Sequence, residues 1–234
     1  MKKFIKKLIL SLLSLLVIVS IVIMYLGYKD YEDLMRENNL DSKIQQIYNR
    51  DDFVSYDQIS PMLKNAVVAT EDSRLYHRKS PLDYRAISRA IWINLKNFKM
   101  LEGGSTIPQQ VAKNLYFDHS ASLRRKVSEY LIARDLLNEY HVNEVLTIYL
   151  NIIYYGDGYT GIYAASDGYF NKSALDLSDF EATLLAGIPQ APSVYQLSTN
   201  YEGAHKRQKH VLGRLVDEKY ISQEEADEIF NQGG

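Results

Sequence analysis

The chain contains no cysteine, so disulfide bonds and thiolate chemistry are excluded from its function. Its five histidines lack the spacing of a metal-binding motif, although carboxylates could still hold a hard cation. Basic residues are not in excess either. Four of the 27 lysines and arginines precede residue 8, and the remaining 23 face 29 acidic residues, a balance that predicts no nucleic-acid partner.

Patterns typical of β-strands are also rare, and residues 53–56 are the best of them. Helix signals are frequent by comparison. A Ser-Pro pair at Ser60 begins a helix that reaches Glu71, and Asp83 can cap the next one. Further helix starts are predicted at N-cap residues: Ser120 or Ser122, Asn143, Ser178 and Ser222. The fold class predicted from these signals is mainly α.

One long hydrophobic run does occur, at residues 8–26, where 19 consecutive residues carry no charge. This length is enough to span a bilayer as a helix. Lysines precede the run, so we expect a cytoplasmic N-terminus at residues 1–7 and an extracytoplasmic remainder in the cell membrane. A cleaved signal peptide is the competing interpretation, but its apolar core is usually shorter. Residues 27–59 then form a juxtamembrane helix or linker before a globular domain at 60–234.

A polar helix is predicted directly after two adjacent glycines in the middle of the chain. Ser105 and Thr106 suit its N-cap, and Pro108 suits its first turn. Helical spacing places four polar residues on one face: Thr106, Gln109, Gln110 and Lys113. A cation near a helix N-terminus favours anionic oxygens. From spacing alone, however, an ordinary amphipathic helix with a solvated polar face is the simpler interpretation.

Two acidic sites could carry chemistry. Glu71 and Asp72 end an apolar stretch, where a carboxylate can have the raised pKa that suits a general base. Farther along, Arg125 and Lys126 lie within one helical turn of Glu129, which would suit a phosphate-binding cluster oriented by the glutamate. The simpler interpretations are a solvated helix end and surface ion pairs of small energetic value.

In chain order, five segments resemble the five motifs of peptidoglycan glycosyltransferases. These are the family-51 transglycosylase domains of monofunctional enzymes and of bifunctional penicillin-binding proteins. The matching segments are Glu71-Asp72, Gly103 to Asn114, Arg125 to Glu129, Tyr149 to Asn151 and Ala165 to Lys172. The resemblance extends over about residues 60–195, and ordered blocks at matching spacing make chance similarity very improbable.

The resemblance implies a lysozyme-like helical glycosyltransferase domain on a single N-terminal transmembrane helix. It implies that the protein polymerises lipid II into β-1,4-linked glycan and releases undecaprenyl diphosphate. The substrates would be lipid II and the growing lipid-linked glycan, and both would be held in the membrane. A transpeptidase or another cell-wall synthesis protein is a candidate partner. The hydrophobic segment 86–100 would correspond to the part of these domains that dips into the membrane and admits the lipid.

The resemblance also assigns roles to individual residues. Glu71 would be the catalytic base. Glu129, the second catalytic residue, would orient the cations or help to hold a divalent cation (Mg or Mn) with the substrate diphosphate. The remaining matched residues would bind the donor sugar and its diphosphate: Asp72, Ser105, Thr106, Gln109, Gln110, Lys113, Asn114, Arg125 and Lys126.

Several positions depart from the usual motifs. The first motif usually continues with Phe, His and Gly where this chain has Leu75, Arg78 and Ser80. Ala121 stands where relatives often carry a basic residue, and Arg124 is the nearest substitute. Both acidic residues are present, so we expect these departures to affect affinity and rate rather than the reaction type.

Two other functions are compatible with parts of the sequence. A lysozyme-like enzyme would cleave glycan with one glutamate as general acid, but it would gain nothing from a diphosphate-binding cluster. A catalytically weak scaffold of a cell-wall complex is suggested by the departures from the first motif. The chain has no Ser-x-x-Lys and no Lys-Thr-Gly sequence, so a penicillin-reactive transpeptidase is not expected and the protein is predicted to be monofunctional.

Overall fold

Helices form almost all of the regular structure of the protein. The computed structural model describes residues 2–97, 103–118 and 122–233. In these ranges there is no β-strand, and one isolated bridge joins Tyr154 to Thr160. The helices are α1 (Lys2–Glu37), α2 (Leu40–Tyr48), α3 (Pro61–Glu71), α4 (Tyr84–Asn97), α5 (Ile107–Tyr116), α6 (Leu123–Glu139), α7 (Val142–Ile152), α8 (Ile162–Phe170), α9 (Asp179–Gly187), α10 (Pro192–Tyr195), α11 (Leu197–Asp217) and α12 (Gln223–Asn231). The mainly α prediction is confirmed.

Helix α1 contains the long hydrophobic run and is long and apolar enough to cross a membrane. Its hydrophobic residues are exposed as far as Tyr25, and Gly27 is the first buried residue. From there α1 packs along α6: the Ser128 hydroxyl donates to the Gly27 carbonyl at 2.8 Å, and the Tyr31 hydroxyl donates to Asp135. The C-terminal part of α1, from Gly27 onward, is therefore packed against the globular part of the molecule.

Residues 38–59 also join the hydrophobic core, through Ile44, Ile47 and Ile59. The predicted strand at 53–56 is absent, and an extended segment leads instead into a 3-10 turn at Tyr56–Gln58. Within the part of the chain that the structure describes, no neighbouring strand is available to pair with this segment. The Asn151 amide takes that place, accepting from the Val54 N–H at 2.9 Å and donating to the Val54 carbonyl at 2.9 Å. Asn151 therefore ties α7 to this segment and does not act as a helix C-cap.

The remaining helices surround a core in which α3 packs against α9 and α11, while α5 packs against α6 and α7. Most predicted helix starts are confirmed, because N-caps are local features. Ser60 caps α3, Ser122 caps α6, and capping boxes begin α9 at Ser178 and α12 at Ser222. One start differs: the N-cap of α7 is His141 rather than Asn143, and the His141 N–H donates to the Glu144 carboxylate at 2.8 Å.

Candidate active site

A cleft of about 850 Å³ opens between the end of α3, the starts of α4 and α5, and one face of α11. It brings together six of the residues predicted from sequence: Glu71, Asp72, Ser105, Thr106, Gln110 and Lys113. Five others do not line it: Gln109, Asn114, Arg125, Lys126 and Glu129. The predicted site therefore divides into a group at the cleft and a group behind it.

Glu71 is the last residue of α3 and faces the cleft. Its Oε2 accepts a hydrogen bond from Gln110 Nε2 at 2.9 Å, and the Gln110 carbonyl in turn accepts from the Tyr149 hydroxyl at 3.2 Å. Burial raises the pKa of Glu71 above its ordinary value, while the Gln110 hydrogen bond and the charge of Arg207 partly oppose the shift. A carboxylate with a raised pKa beside an open cleft is suited to accept a proton.

Asp72 lies next in the chain but is buried and bound by protein groups. Its Oδ2 accepts from Arg78 Nε at 3.1 Å and from the Ile107 N–H, the first residue of α5, at 3.1 Å. Arg78 also reaches Asp83, which caps α4 by accepting from the Ala86 N–H at 2.9 Å. The carboxylate of Asp72 thus connects the end of α3 to the start of α5.

The start of α5 determines which polar side chains reach the cleft. Thr106 caps the helix, and its hydroxyl donates to the Pro81 carbonyl at 2.8 Å. Gln109 completes a capping box by accepting from the Thr106 N–H at 3.1 Å, so it is buried in the cap. Pro108 fits the first turn as predicted. Of the four residues in the predicted polar stripe, Gln109 is therefore the one turned away from the cleft.

Behind the cleft, Glu129 is completely buried between two cations on α6. Its Oε2 lies 2.6 Å from Lys126 Nζ, and its Oε1 lies 2.8 Å from Arg125 Nε. Lys126 also donates to the Ser105 hydroxyl at 3.4 Å, and Ser105 lines the cleft. Ser105 is consequently the link between the cation cluster and the cleft.

Arg124, the nearest substitute for the basic residue missing at position 121, points elsewhere. Its guanidinium forms an ion pair with Asp30 of α1, with Nε donating to Oδ2 at 3.0 Å. Position 121 itself lies outside the described residues. Arg124 therefore contributes to the contact between α1 and α6 and does not line the cleft.

The residues around Glu129 do not fit a metal ion held by the protein. A divalent cation needs carboxylate or carbonyl oxygens that are free to coordinate it. Both oxygens of Glu129 face a lysine or an arginine, and the described ranges contain no group of three or more His, Asp or Glu side chains suited to a metal. A cation that enters with a substrate remains a prediction.

The cleft also contains basic residues that the sequence did not single out. Arg207, His210 and Arg214 project into it from one face of α11, and Arg214 Nε donates to the Ala69 carbonyl at 3.2 Å near the end of α3. Arg74 and Arg89 line it from the other side. The spacing of the three α11 residues, at i, i+3 and i+7, is a signal that could have indicated a basic helix face.

Comparison with known proteins identifies the family. A family model described as Transglycosylase matches residues 38–216. Penicillin-binding protein 2D of Bacillus subtilis is 41% identical over 180 residues, which are 77% of this chain and 26% of that protein. Penicillin-binding protein 1A of Neisseria lactamica is 38% identical over 194 residues, 82% of this chain and 24% of the relative.

A solved structure, that of penicillin-binding protein 1A from Haemophilus influenzae, is 31% identical, with a TM-score of 0.36 over 53% of this chain and 15% of that chain. The chain spans about a quarter of the length of the curated relatives that it matches. The family assignment rests on the family model, which covers most of the chain. The chain belongs to the transglycosylase family.

Proposed function

We propose that this protein is a peptidoglycan glycosyltransferase that polymerises lipid II into β-1,4-linked glycan strands. The observation that carries the proposal is the position of Glu71 at the wall of a cleft that is lined by four arginines and Lys113. Burial there raises the pKa of Glu71. Membership of the transglycosylase family and the resemblance of the five motifs support the substrate class.

In the proposed reaction Glu71 acts as the general base. It takes the proton from the 4-hydroxyl of the N-acetylglucosamine unit of an incoming lipid II. As the proton leaves, that oxygen attacks C1 of the N-acetylmuramic acid at the reducing end of the lipid-linked glycan. The bond from C1 to the phosphate oxygen breaks with inversion, and undecaprenyl diphosphate departs with the bonding electrons.

A departing diphosphate carries developing negative charge and needs positive groups placed in advance. Lys113 faces the cleft from α5, and Arg207 and Arg214 face it from α11. Lys126 reaches the cleft through Ser105, and Glu129 holds Lys126 and Arg125 in position. In this scheme Thr106 and Gln109 shape the start of α5, Gln110 orients Glu71, and Asp72 connects the end of α3 to the start of α5. The predicted role of Asn114 in binding the donor stays a prediction, because its side chain is exposed and does not line the cleft.

The proposal places the cleft beside a membrane. Helix α4, at the mouth of the cleft, exposes a large apolar surface: Tyr84 (70%), Ile91 (55%), Trp92 (69%) and Leu95 (66%). Aromatic and apolar side chains with nearby basic residues favour the membrane interface. Residues 98–100 of the predicted membrane-dipping segment lie outside the described residues. We propose that α1 anchors the protein with a cytoplasmic N-terminus and an extracytoplasmic cleft.

A divalent cation, if required, would arrive with the substrate's diphosphate, because residues 2–97, 103–118 and 122–233 contain no group of three or more His, Asp or Glu side chains that could hold a metal. Removal of divalent ions with a chelator, followed by addition of Mg²⁺ or Mn²⁺, measures this requirement in the polymerisation assay. Restored synthesis on addition would support a role for the ion, and undiminished synthesis in chelator would contradict it.

The proposal is tested with the full chain in detergent, labelled lipid II and a divalent cation. We expect the wild type to form glycan polymer and Glu71→Gln to lose at least ~100-fold in rate, the scale of general-base catalysis. Glu224→Gln, an exposed residue of α12, is the matched control and should retain the wild-type rate. Shortening of preformed glycan would instead indicate a lysozyme-like hydrolase, and absence of both activities would favour a scaffold.

A further inference from the structure

A buried network of ion pairs holds together the loop that connects α3 to α4. The side chains of Asp72, Arg78 and Asp83 are 1%, 4% and 8% exposed. Arg78 lies between the two carboxylates: its Nε donates to Asp72 Oδ2 at 3.1 Å, and its Nη2 bonds Asp72 Oδ1 and lies 3.2 Å from Asp83 Oδ2. Its Nη1 also donates to the Ser80 carbonyl at 3.4 Å.

Through this network Arg78 acts on the surroundings of Glu71. Asp72 follows Glu71 directly, and its Oδ2 accepts from the N–H of Ile107, where α5 begins. Gln110 lies one turn further along α5 and donates to Glu71. The geometry of Asp72 therefore determines where α5 starts relative to the end of α3, and with it the distance between Gln110 and Glu71.

Two buried carboxylates at this point need a cation between them. Without one, Asp72 and Asp83 would repel each other, and burial would favour protonation of either, which would weaken their hydrogen bonds from backbone N–H groups. A guanidinium holds both at once through its planar fork, and it stays charged at every physiological pH. The usual residue of the family here, histidine, loses its charge near pH 6.5.

We propose that Arg78 is a positioning residue for glycosyl transfer, which holds Asp72 and hence α5 so that Gln110 is aligned on Glu71 across the neutral pH range. The inference rests on the proposed function, in which Glu71 is the base. Charged groups facing Arg78 are Asp72 at the end of α3 and Asp83 at the start of α4, and Arg74 pairs with Asp83 from the far side at 2.5 Å.

The test measures kcat and KM for lipid II polymerisation from pH 6 to 8.5, together with the thermal unfolding midpoint, for the full chain in detergent. Arg78→Gln should lower kcat at least tenfold at every pH with KM changed less than about threefold, since the base is misaligned while the binding cations remain. Arg78→Lys should restore part of kcat with a wild-type pH profile, because it keeps the charge without the fork.

Arg78→His supplies a readout that a merely structural role would not change. Its kcat should fall as the pH rises through the pKa of the imidazole and should level off near the Arg78→Gln value, a limb that is absent from the wild type. The control Arg36→His, at an exposed ion pair on α1, should show no such limb. Wild-type kcat in a folded Arg78→Gln variant, or losses that only follow the unfolding midpoint, would overturn the inference. A wild type without polymerase activity would instead overturn the proposed function.

Discussion

The two glutamates predicted to be catalytic lie in opposite environments. Glu71 faces the cleft, its hydrogen-bond partner is the neutral amide of Gln110, and burial raises its pKa. Glu129 is completely buried, and each of its oxygens lies within 2.8 Å of a cationic nitrogen. Two carboxylates on one domain are thus given different properties by their neighbours.

The difference indicates a division of roles. A base must be able to gain a proton near neutral pH, which the surroundings of Glu71 favour. A carboxylate held between two cations fixes those cations in place. This contrast supports the proposed function, in which Glu71 transfers the proton and Glu129 orients the positive charge. Each of the following substitutions acts on one side of this comparison.

The largest effect on stability is expected from Glu129→Gln. Removing one partner of a buried ion pair leaves cations without compensation, so the free energy of unfolding should fall by roughly 3 kcal/mol. For a protein of this size that is a decrease of about 6–12 °C in Tm, measured by circular dichroism in detergent. Glu32→Gln, which breaks an exposed pair with Lys29, should leave Tm nearly unchanged, because solvent screens such a pair.

The same substitution at Glu71 should have the opposite sign. Because the pKa of Glu71 is raised in the folded protein, its ionised form costs stability above that pKa, and the cost disappears as the pH falls through it. Glu71→Gln should therefore leave Tm unchanged or raise it at pH 7 while abolishing activity. A marked loss of Tm in this variant would contradict the proposed difference between the two glutamates.

A smaller effect is expected from Gly27→Leu, which acts on the Glu129 side alone. A Cβ at Gly27 would lie 2.6 Å from the Val127 Cβ and 2.8 Å from the Arg124 carbonyl oxygen, so α1 could not stay packed on α6. We expect about 2 kcal/mol of lost stability, the usual range for overpacking. Gly213→Leu on α11 meets open space and is the matched control. Equal unfolding midpoints for the two variants would show that the packing of α1 on α6 contributes nothing to the stability of the protein.

The smallest effect is expected from Gln110→Leu, which acts on Glu71 alone. The Gln110 hydrogen bond lowers the pKa of Glu71, so its loss should raise that pKa further. The acid limb of the polymerisation rate should therefore move to higher pH. The control Gln223→Leu on α12 should leave the acid limb at its wild-type pH. An unshifted limb in Gln110→Leu would contradict the proposal that Gln110 influences the pKa of the catalytic base.

Local features of the molecule were predictable from sequence. The capping boxes at Ser178 and Ser222, the start of α3 at Ser60 and the fit of Pro108 depend on residues within one turn of each other. The pairing of Arg125 and Lys126 with Glu129 follows in the same way from i, i+4 and i, i+3 spacing.

Contacts between distant segments could not be predicted in this way. Asn151 replaces a strand partner for Val54, and Arg207 and Arg214 reach the end of α3 from a helix near the other end of the chain. Helical periodicity places Gln109 on the same face as Gln110 and Lys113, but the capping box turns the Gln109 side chain inward. Such outcomes depend on which buried polar groups find partners in three dimensions, and spacing along one helix does not specify them.

The most direct test of the central claim is the pH dependence of kcat/KM for lipid II polymerisation by the wild type. The base must be ionised to accept a proton, so the rate should fall as the pH decreases through the pKa of Glu71. Because burial raises that pKa above 4.5, the acid limb should lie above pH 4.5 and should vanish from the residual rate of Glu71→Gln. A rate that stays constant down to pH 4.5, or an identical limb in Glu71→Gln, would contradict the assignment of Glu71 as the base.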